Sequence, residues 1–248
     1  MGLLDQCSCA YVNLDHRLDR KIRMERSLEE AGIKAHRVRG MLPDEYKGDP
    51  KKVEVMRNRT PGAIGCHMSQ VSIMENALCL SKHAFVMEDD LVFCKDFQKR
   101  ISMMEQFIAT NDWDILWLGG TFHVNPPYWH KKLGDARCTE DPHMMRTFGA
   151  FCTYAYIVNK HSLARVLSLL EQQLPTSIGI DYAMIQIQPQ LHTFAFVPGC
   201  VIQYDHESDI GKGMTIFSNF KKLGPYWYQE RLENFDPKTF NWHEAKLK

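Results

Sequence analysis

The chain is 248 residues long, enough for one large domain or two small ones sharing a core. Thirty Lys and Arg balance thirty Asp and Glu, so the formal charge is zero, which excludes a generic polyanion binder built on a basic excess. With 44% hydrophobic and 24% charged residues, the composition is that of a folded globular protein rather than a disordered one.

Apolar runs alternate with amphipathic stretches, the pattern of an α/β fold. Residues 10–14 read as a buried strand. Residues 15–30 read as a helix with Leu18, Ile22 and Leu28 turned inward and Gly32 as its stop. Residues 33–38 form a second short strand and the polar residues 41–59 a loop. Thr60-Pro61 opens a helix, since Thr is a good N-cap and Pro suits the first helical turn, where its missing N–H would be unpaired anyway. Ile64, Met68, Val71, Met74 (or Glu75) and Leu78 give that helix an apolar face. Residues 84–87 are a short apolar run that ends abruptly at Glu88-Asp89-Asp90, and Leu91-Val92-Phe93 resumes beyond it. Residues 97–109 read as a helix with Met103 and Met104 in the core. Residues 114–118 read as a strand stopped by Gly119-Gly120, and Trp113 and Trp117 are core residues. Residues 121–145 read as a long loop, of a length that is usually functional or mobile. A strand over 150–158, helices over 161–172 and 181–187, a strand over 193–197 and an irregular tail from Ser208 complete the chain.

No stretch approaches the roughly 20 apolar residues of a membrane span. Met1 to Gln6 contains Asp5 and lacks the basic and apolar regions of a signal peptide, so a cytoplasmic location is expected, with peripheral membrane contact left open. The eight cysteines then read as reduced, packed thiols. None has the C-x2-C spacing of a zinc knuckle, and Cys7 and Cys9 stand alone as C-x-C.

Glu88-Asp89-Asp90 is the sharpest feature. In open α/β sheets, ligands bind at the carboxyl ends of strands. Three adjacent carboxylates repel one another unless something neutralises them, and an oxygen-preferring divalent cation does this well. In an extended segment residues 88 and 90 face the same side, so two carboxylates can face one cation. The other reading of these residues is a solvated acidic turn.

Several ordered pieces resemble glycosyltransferase family 25, the lipooligosaccharide-type and collagen-type galactosyl- and glucosyltransferases. They are Tyr11-Val12-Asn13-Leu14-Asp15 with Arg17, Asp19 and Arg20, then Thr60-Pro61-Gly62-Ala63-Ile64-Gly65-Cys66 with Ser69, then Met87-Glu88-Asp89-Asp90-Leu91. Asp112-Trp113-Asp114 to Gly119, Gly149 to Lys160, Asp181, and Gln203 with Ser208-Asp209-Ile210 continue the match over residues 11–210. Ala63, where members often carry Glu, and Gln70, where they often carry His, depart from the pattern, and residues 204–207 have no match. These departures bear on acceptor recognition.

The resemblance implies a single GT-A type domain over residues 1–248, with a Rossmann-like, mixed, mostly parallel sheet flanked by helices. Residues 10–120 would bind the nucleotide sugar, 121–210 would bring acceptor and catalysis, and 211–248 would be the irregular tail. The donor would be a UDP-hexose. Asn13, Leu14 and Asp15 would line the uracil and ribose pocket, Arg17 or Arg20 would reach the diphosphate (or form a solvated helix face), and Asp89 would meet the ribose or sugar. Asp90 and Glu88 would hold Mn²⁺ or Mg²⁺, with His206 as a third ligand or a plain surface histidine. The family is inverting, so a general base must deprotonate the acceptor hydroxyl. Asp181 is the candidate, its alternative role being a helix cap, and Asp114 is the alternate base. Tyr128 and Trp129, in the long loop, are candidates for an acceptor platform. The acceptor would be a glycan or protein hydroxyl, and no nucleic-acid partner is expected. Two other readings stay open: a catalytically inactive nucleotide-sugar-binding or adhesion relative, and a metal-dependent nuclease or nucleotidyltransferase, against which the neutral charge and the lack of a Gly-rich phosphate loop weigh.

Overall fold

The computed structural model describes residues 2–47, 61–121, 137–173, 179–196, 199–204 and 209. The strands are β1 (Cys7–Asn13), β2 (His36–Arg39), β3 (His83–Met87), β4 (Leu91–Phe93), β5 (Ile115–Thr121), β6 (Arg137–Cys138), β7 (Met144–Arg146), β8 (Phe151–Val158), β9 (Thr193–Phe196) and β10 (Val201–Gln203). The helices are α1 (Leu18–Ala31), α2 (Pro61–Cys79), α3 (Phe97–Ile108), α4 (Leu163–Gln173) and α5 (Ile180–Ile187). Eight strands form one sheet in the order β2-β1-β3-β8-β5-β9-β7-β6, while β4 and β10 pair as a separate antiparallel ribbon.

The expected mixed, mostly parallel sheet is the one found. β1 pairs parallel with β2 and β3, and β5 pairs parallel with β9. Among the described strands of this sheet, only β8 and β7 run against the common direction. β8 lies between β3 and β5, so the two expected halves of the chain share one sheet and interleave within it.

Side chains alternate across the sheet, as the two-residue period of a strand requires. On β3, Phe85 and Met87 enter a core with Met24, Leu28, Phe97, Ile101 and Met104, under α1 and α3. Ala84 and Val86 enter the opposite core with Ile73, Met74, Trp117, Tyr156, Val166 and Met184, under α2, α4 and α5. The central strands are therefore buried on both faces, which is why they read as nearly continuous apolar runs. Trp113, Trp117 and Met104 are buried in these cores, as expected, with Met103 packed against the first.

Four expectations need correcting. In α1 the inward residues are Arg20, Met24, Leu28 and Ala31, whereas Leu18 and Ile22 are 61% and 69% exposed. The inner stripe is phased on Arg20 because that guanidinium has an acidic partner inside. In α2 the buried set includes His67, Ser69, Gln70, Ile73, Met74 and Ala77, and Leu78 is exposed. The Gly119-Gly120 pair does not stop β5, which runs on to Thr121. A Cβ on Gly119 would lie 2.3 Å from the Tyr154 ring and 2.5 Å from the Val201 carbonyl, so this glycine permits a close crossing of chains. Finally, the expected loop over 121–145 contains β6 and the start of β7, which pair antiparallel at the sheet edge.

Gly32 does end α1, in the left-handed conformation (φ 69°) that suits glycine at a helix C-terminus. The seven cysteines with described side chains are free thiols. Among the described residues no helix is long and apolar enough to cross a membrane.

Candidate active site

Topology brings the chemistry to one edge of the sheet, the rim formed by the carboxyl ends of β1 and β3 rather than an outermost strand. β1 and β3 run parallel with Tyr11 opposite Met87, so Asn13 and the run Glu88-Asp89-Asp90 leave the sheet side by side. β8 runs against β3 with Ala155 opposite Met87, which brings its start, and therefore Thr153, to the same edge. β10 pairs with β4 so that Gln203 lies opposite Leu91, and the Tyr204 N–H donates to the Asp90 carbonyl at 3.0 Å. The first turn of α5 adds Asp181.

Asp89 turns toward α1. Its Oδ2 accepts from Asn13 Nδ2 at 2.7 Å and its Oδ1 from Arg20 Nη1 at 3.0 Å. The Arg20 and Asp89 side chains are only 8% and 9% exposed, so this is a buried ion pair. Arg20 also lies 3.9 Å from Asp90 Oδ2. Asn13 is fixed from the other side by Arg37, whose Nε donates to Asn13 Oδ1 at 2.8 Å while Nη2 reaches the Asp15 carboxylate. Leu14 is half-buried against Gly40, and Asp15 is exposed. Arg17 pairs with Asp19, and together with Arg20 it holds Asp209: Arg17 Nη1 and Arg20 Nη2 lie 2.5 Å and 3.2 Å from Asp209 Oδ2. Both candidate phosphate-facing arginines therefore bind carboxylates at this edge.

Glu88 turns the other way, toward α2. Its Oε1 accepts from Gln70 Nε2 at 3.3 Å and its Oε2 from Gln203 Nε2 at 2.9 Å. Gln203 Nε2 also lies 3.1 and 3.2 Å from the two Asp90 oxygens, so Glu88 and Asp90 share one donor. Gln70 is oriented by the Tyr156 hydroxyl, which donates to Gln70 Oε1 at 2.8 Å. Asp181 Oδ1 accepts from the Thr153 N–H at 2.8 Å and from Thr153 Oγ1 at 2.9 Å.

No side-chain cap bond is made at the N-cap of α5, which is Gly179, and Asp181 spends its oxygen on Thr153 instead of the helix amides. Burial, with Asp90, Asp181 and Asp89 nearby, pushes the Glu88 carboxyl well above its usual range, against the pull of Arg20. Burial also raises Asp181, with the Thr153 bonds opposing, and raises Asp89, helped by Asp90 and opposed by Arg20 and Asn13. The Cys66 thiol is pushed up by burial and then by Glu88, and is no nucleophile.

Asp114 lies at the other end of the sheet, before β5 begins. It accepts from Ser162 Oγ and from the His192 N–H at 2.6 Å, and these bonds tie β5, β9 and the start of α4 together. It is a structural residue. His206, Tyr128 and Trp129 lie outside the described residues. Among the described residues no trio of His, Cys, Asp and Glu side chains stands in metal-holding geometry. Arg37, Thr153, Tyr156 and the amide role of Gln203 are not picked out from the sequence, and Gln70 stands there only as a departure bearing on acceptor recognition, whereas it donates to Glu88. For Gln70 a signal existed, a polar residue one turn after Cys66 and one before Met74 on the helix, but it lay off the stripe chosen as the apolar face.

The profile of glycosyltransferase family 25 (LPS biosynthesis protein) matches residues 10–184, and the chain belongs to this family. The match covers every described residue of the edge except Gln203, Tyr204 and Asp209. A Bos taurus protein named "Probable inactive glycosyltransferase 25 family member 3" is 29% identical over 182 residues, 65% of this chain. That match covers 28% of the bovine protein, so the chain spans little more than a quarter of that relative's length. Among solved structures, a glycosyltransferase involved in glycosylation of the major capsid of PBCV-1 aligns with TM-score 0.41 and 11% identity, over 76% of this chain and 80% of that one. The inositol-1-phosphate CTP transferase from T. maritima aligns with TM-score 0.35 and 14% identity, over 79% and 68%.

Proposed function

We propose that the chain is an inverting, metal-dependent glycosyltransferase that moves a hexose, galactose or glucose, from a UDP-sugar to a hydroxyl of a glycan or protein. The observation that carries this reading is the pair Glu88 and Asp90 at the strand ends, sharing the Gln203 amide at 2.9, 3.1 and 3.2 Å, in a chain of family 25. The donor set suits a hard divalent cation: two carboxylates already lean on a single amide N–H₂ group that lends them partial positive charge. Glu88 and Asp90 would hold Mn²⁺ or Mg²⁺, with His206 as a further ligand. Bound there, the ion supplies positive charge against the diphosphate as it leaves.

The chain's own residues do the rest. Arg17 and Arg20 bind the donor phosphates, exchanging the Asp209 carboxylate for them. Asn13, Leu14 and Asp15 line the nucleoside pocket. Asp89, anchored by Asn13 and Arg20, meets the ribose or sugar with its remaining lone pairs. Asp181, its proton affinity raised by burial, takes the acceptor hydroxyl proton as the oxygen attacks the anomeric carbon and UDP departs. Tyr128 and Trp129 carry the acceptor.

UDP release from a panel of UDP-hexoses with Mn²⁺ tests the reading. Asp181→Asn is expected to lower kcat by about 10²- to 10⁴-fold while UDP and Mn²⁺ still bind. Unchanged turnover in that variant would remove Asp181 from the mechanism. The relative named probable inactive favours a second reading, a donor-binding module without turnover. Calorimetric binding of UDP with Mn²⁺, and no transfer from any donor, would select it.

A further inference from the structure

Glu88 is held by two amides that differ in freedom. Gln70 is fully buried and partnered at both ends: Nε2 lies 3.3 Å from Glu88 Oε1 and from the Thr153 carbonyl, and Oε1 accepts from the Tyr156 hydroxyl. Turning this amide over would face its N–H₂ against the Tyr156 hydroxyl and its carbonyl against a carboxylate, so it has one orientation. Gln203 is half-buried. Its Nε2 bridges Glu88 and Asp90, while its Oε1 makes no hydrogen bond among the described residues.

The backbone on either side of Gln203 is tied down. β10 is in register with β4, with Gln203 opposite Leu91, and Tyr204 donates to the Asp90 carbonyl. What stays free is the terminal torsion of the side chain, which is broad and nearly two-fold for an amide. A half-turn there exchanges N–H₂ for C=O at almost the same place. The first form donates to two carboxylates. The second offers an oxygen ligand of the kind a divalent cation accepts from Asn and Gln.

We propose that Gln203 is a two-way side chain: its N–H₂ bridges Glu88 and Asp90 when no cation is bound, and its Oε1 joins them as a further oxygen ligand when a divalent cation is. The inference rests on the metal-dependent reading above and extends the site beyond residues 10–184.

The test is Mn²⁺ titration of the purified chain without donor, by calorimetry and by electron paramagnetic resonance of free Mn²⁺, together with melting curves of the metal-free protein. Gln203→Leu is expected to weaken Mn²⁺ binding by about 10- to 100-fold and to lower the metal-free melting temperature. Equal Mn²⁺ affinity in wild type and Gln203→Leu would overturn the proposal and leave metal dependence standing. No Mn²⁺ binding to wild type would overturn both. If Gln203→Leu does not fold, Gln203→Glu decides, because it keeps an oxygen ligand and loses the N–H bridge. Affinity at or above wild type with a lower metal-free melting temperature supports the proposal, and weaker binding overturns it.

Discussion

Asp89 leans toward α1, where Arg20 and Asn13 donate to its two oxygens. Glu88, one residue earlier, leans toward α2, where two neutral amides hold it and Asp90 and Asp181 crowd it. The two residues are neighbours in the chain just past the end of β3, yet one is held from α1 through Arg20 and the other from α2 through Gln70. On one side the negative charge is answered by a buried guanidinium and the residue is anchored. On the other the hydrogen-bond donors are neutral amides, with Arg20 acting from farther away, and the stored repulsion is what a cation or a proton relieves. A run of acids is thus two different devices, and which residue does what is decided by the helix each one meets.

The comparison breaks most visibly at Arg20. Replacing it with Ala leaves Asp89 buried with half its partners and frees Asp209 from one of its two arginines. Removing one member of a buried ion pair typically costs about 3–5 kcal/mol. Urea unfolding of Arg20→Ala is expected to show a loss of that size. A loss below about 1 kcal/mol would put Arg20 among the solvent-screened surface pairs and dissolve the contrast between the two sides.

Much of this edge was legible in the sequence. An acidic run after an apolar strand, with Asn13 and arginines after another, sufficed to point to a ligand site at strand ends. What failed was phase. Leu18 and Ile22 fit an apolar stripe better than Arg20 does, and it is remote carboxylates, Asp89 at 69 residues away with Asp90 and Asp209, that make the arginine's burial favourable. The same holds for Gln70, whose partners Tyr156 and Thr153 lie on β8, more than 80 residues on. Gly119-Gly120 looked like a stop because a glycine pair usually marks a turn. Here it marks the approach of Tyr154 and Val201, which only the packed sheet reveals. Local pattern gives the period of an element, and remote pairing sets which face is inside.

His67 sharpens the contrast from a third position, being buried with no partner on either ring nitrogen among the described residues. Burial alone holds its pKa down to about 4 from the ordinary 6.5. The unfolded chain therefore binds more protons than the native one between those values, and stability falls as pH drops through that window. At pH 5 the loss from this group is about 2 kcal/mol, and His67→Gln is expected to lack that share of it in urea titrations at pH 7 and pH 5. If His67→Gln loses as much stability as wild type on acidification, the histidine is not what the acid attacks.

Glu88 has the opposite sign and a smaller expected effect. Its folded carboxyl is raised, so in the metal-free protein the native state holds the proton over a range where the unfolded chain has released it. Stability from this group is present at low pH and declines as pH rises above the ordinary carboxylate value of 4.5. Glu88→Gln removes that decline but also turns one amide N–H₂ toward another, which costs about 1 kcal/mol for the lost hydrogen bond. The expected result is a crossing: the variant is the less stable protein near pH 4 and gains on wild type toward pH 8, with the gain vanishing when saturating Mn²⁺ is added to wild type. Asp89 and Asp181 contribute in the same direction, so the slope shrinks without disappearing. Because His67 makes stability rise with pH while Glu88 makes it fall, each single variant uncovers the other group. Curves that stay parallel to wild type for Glu88→Gln would mean that the amides already offset its charge, and the two sides of the acidic run would then be alike in energy as well as in sequence.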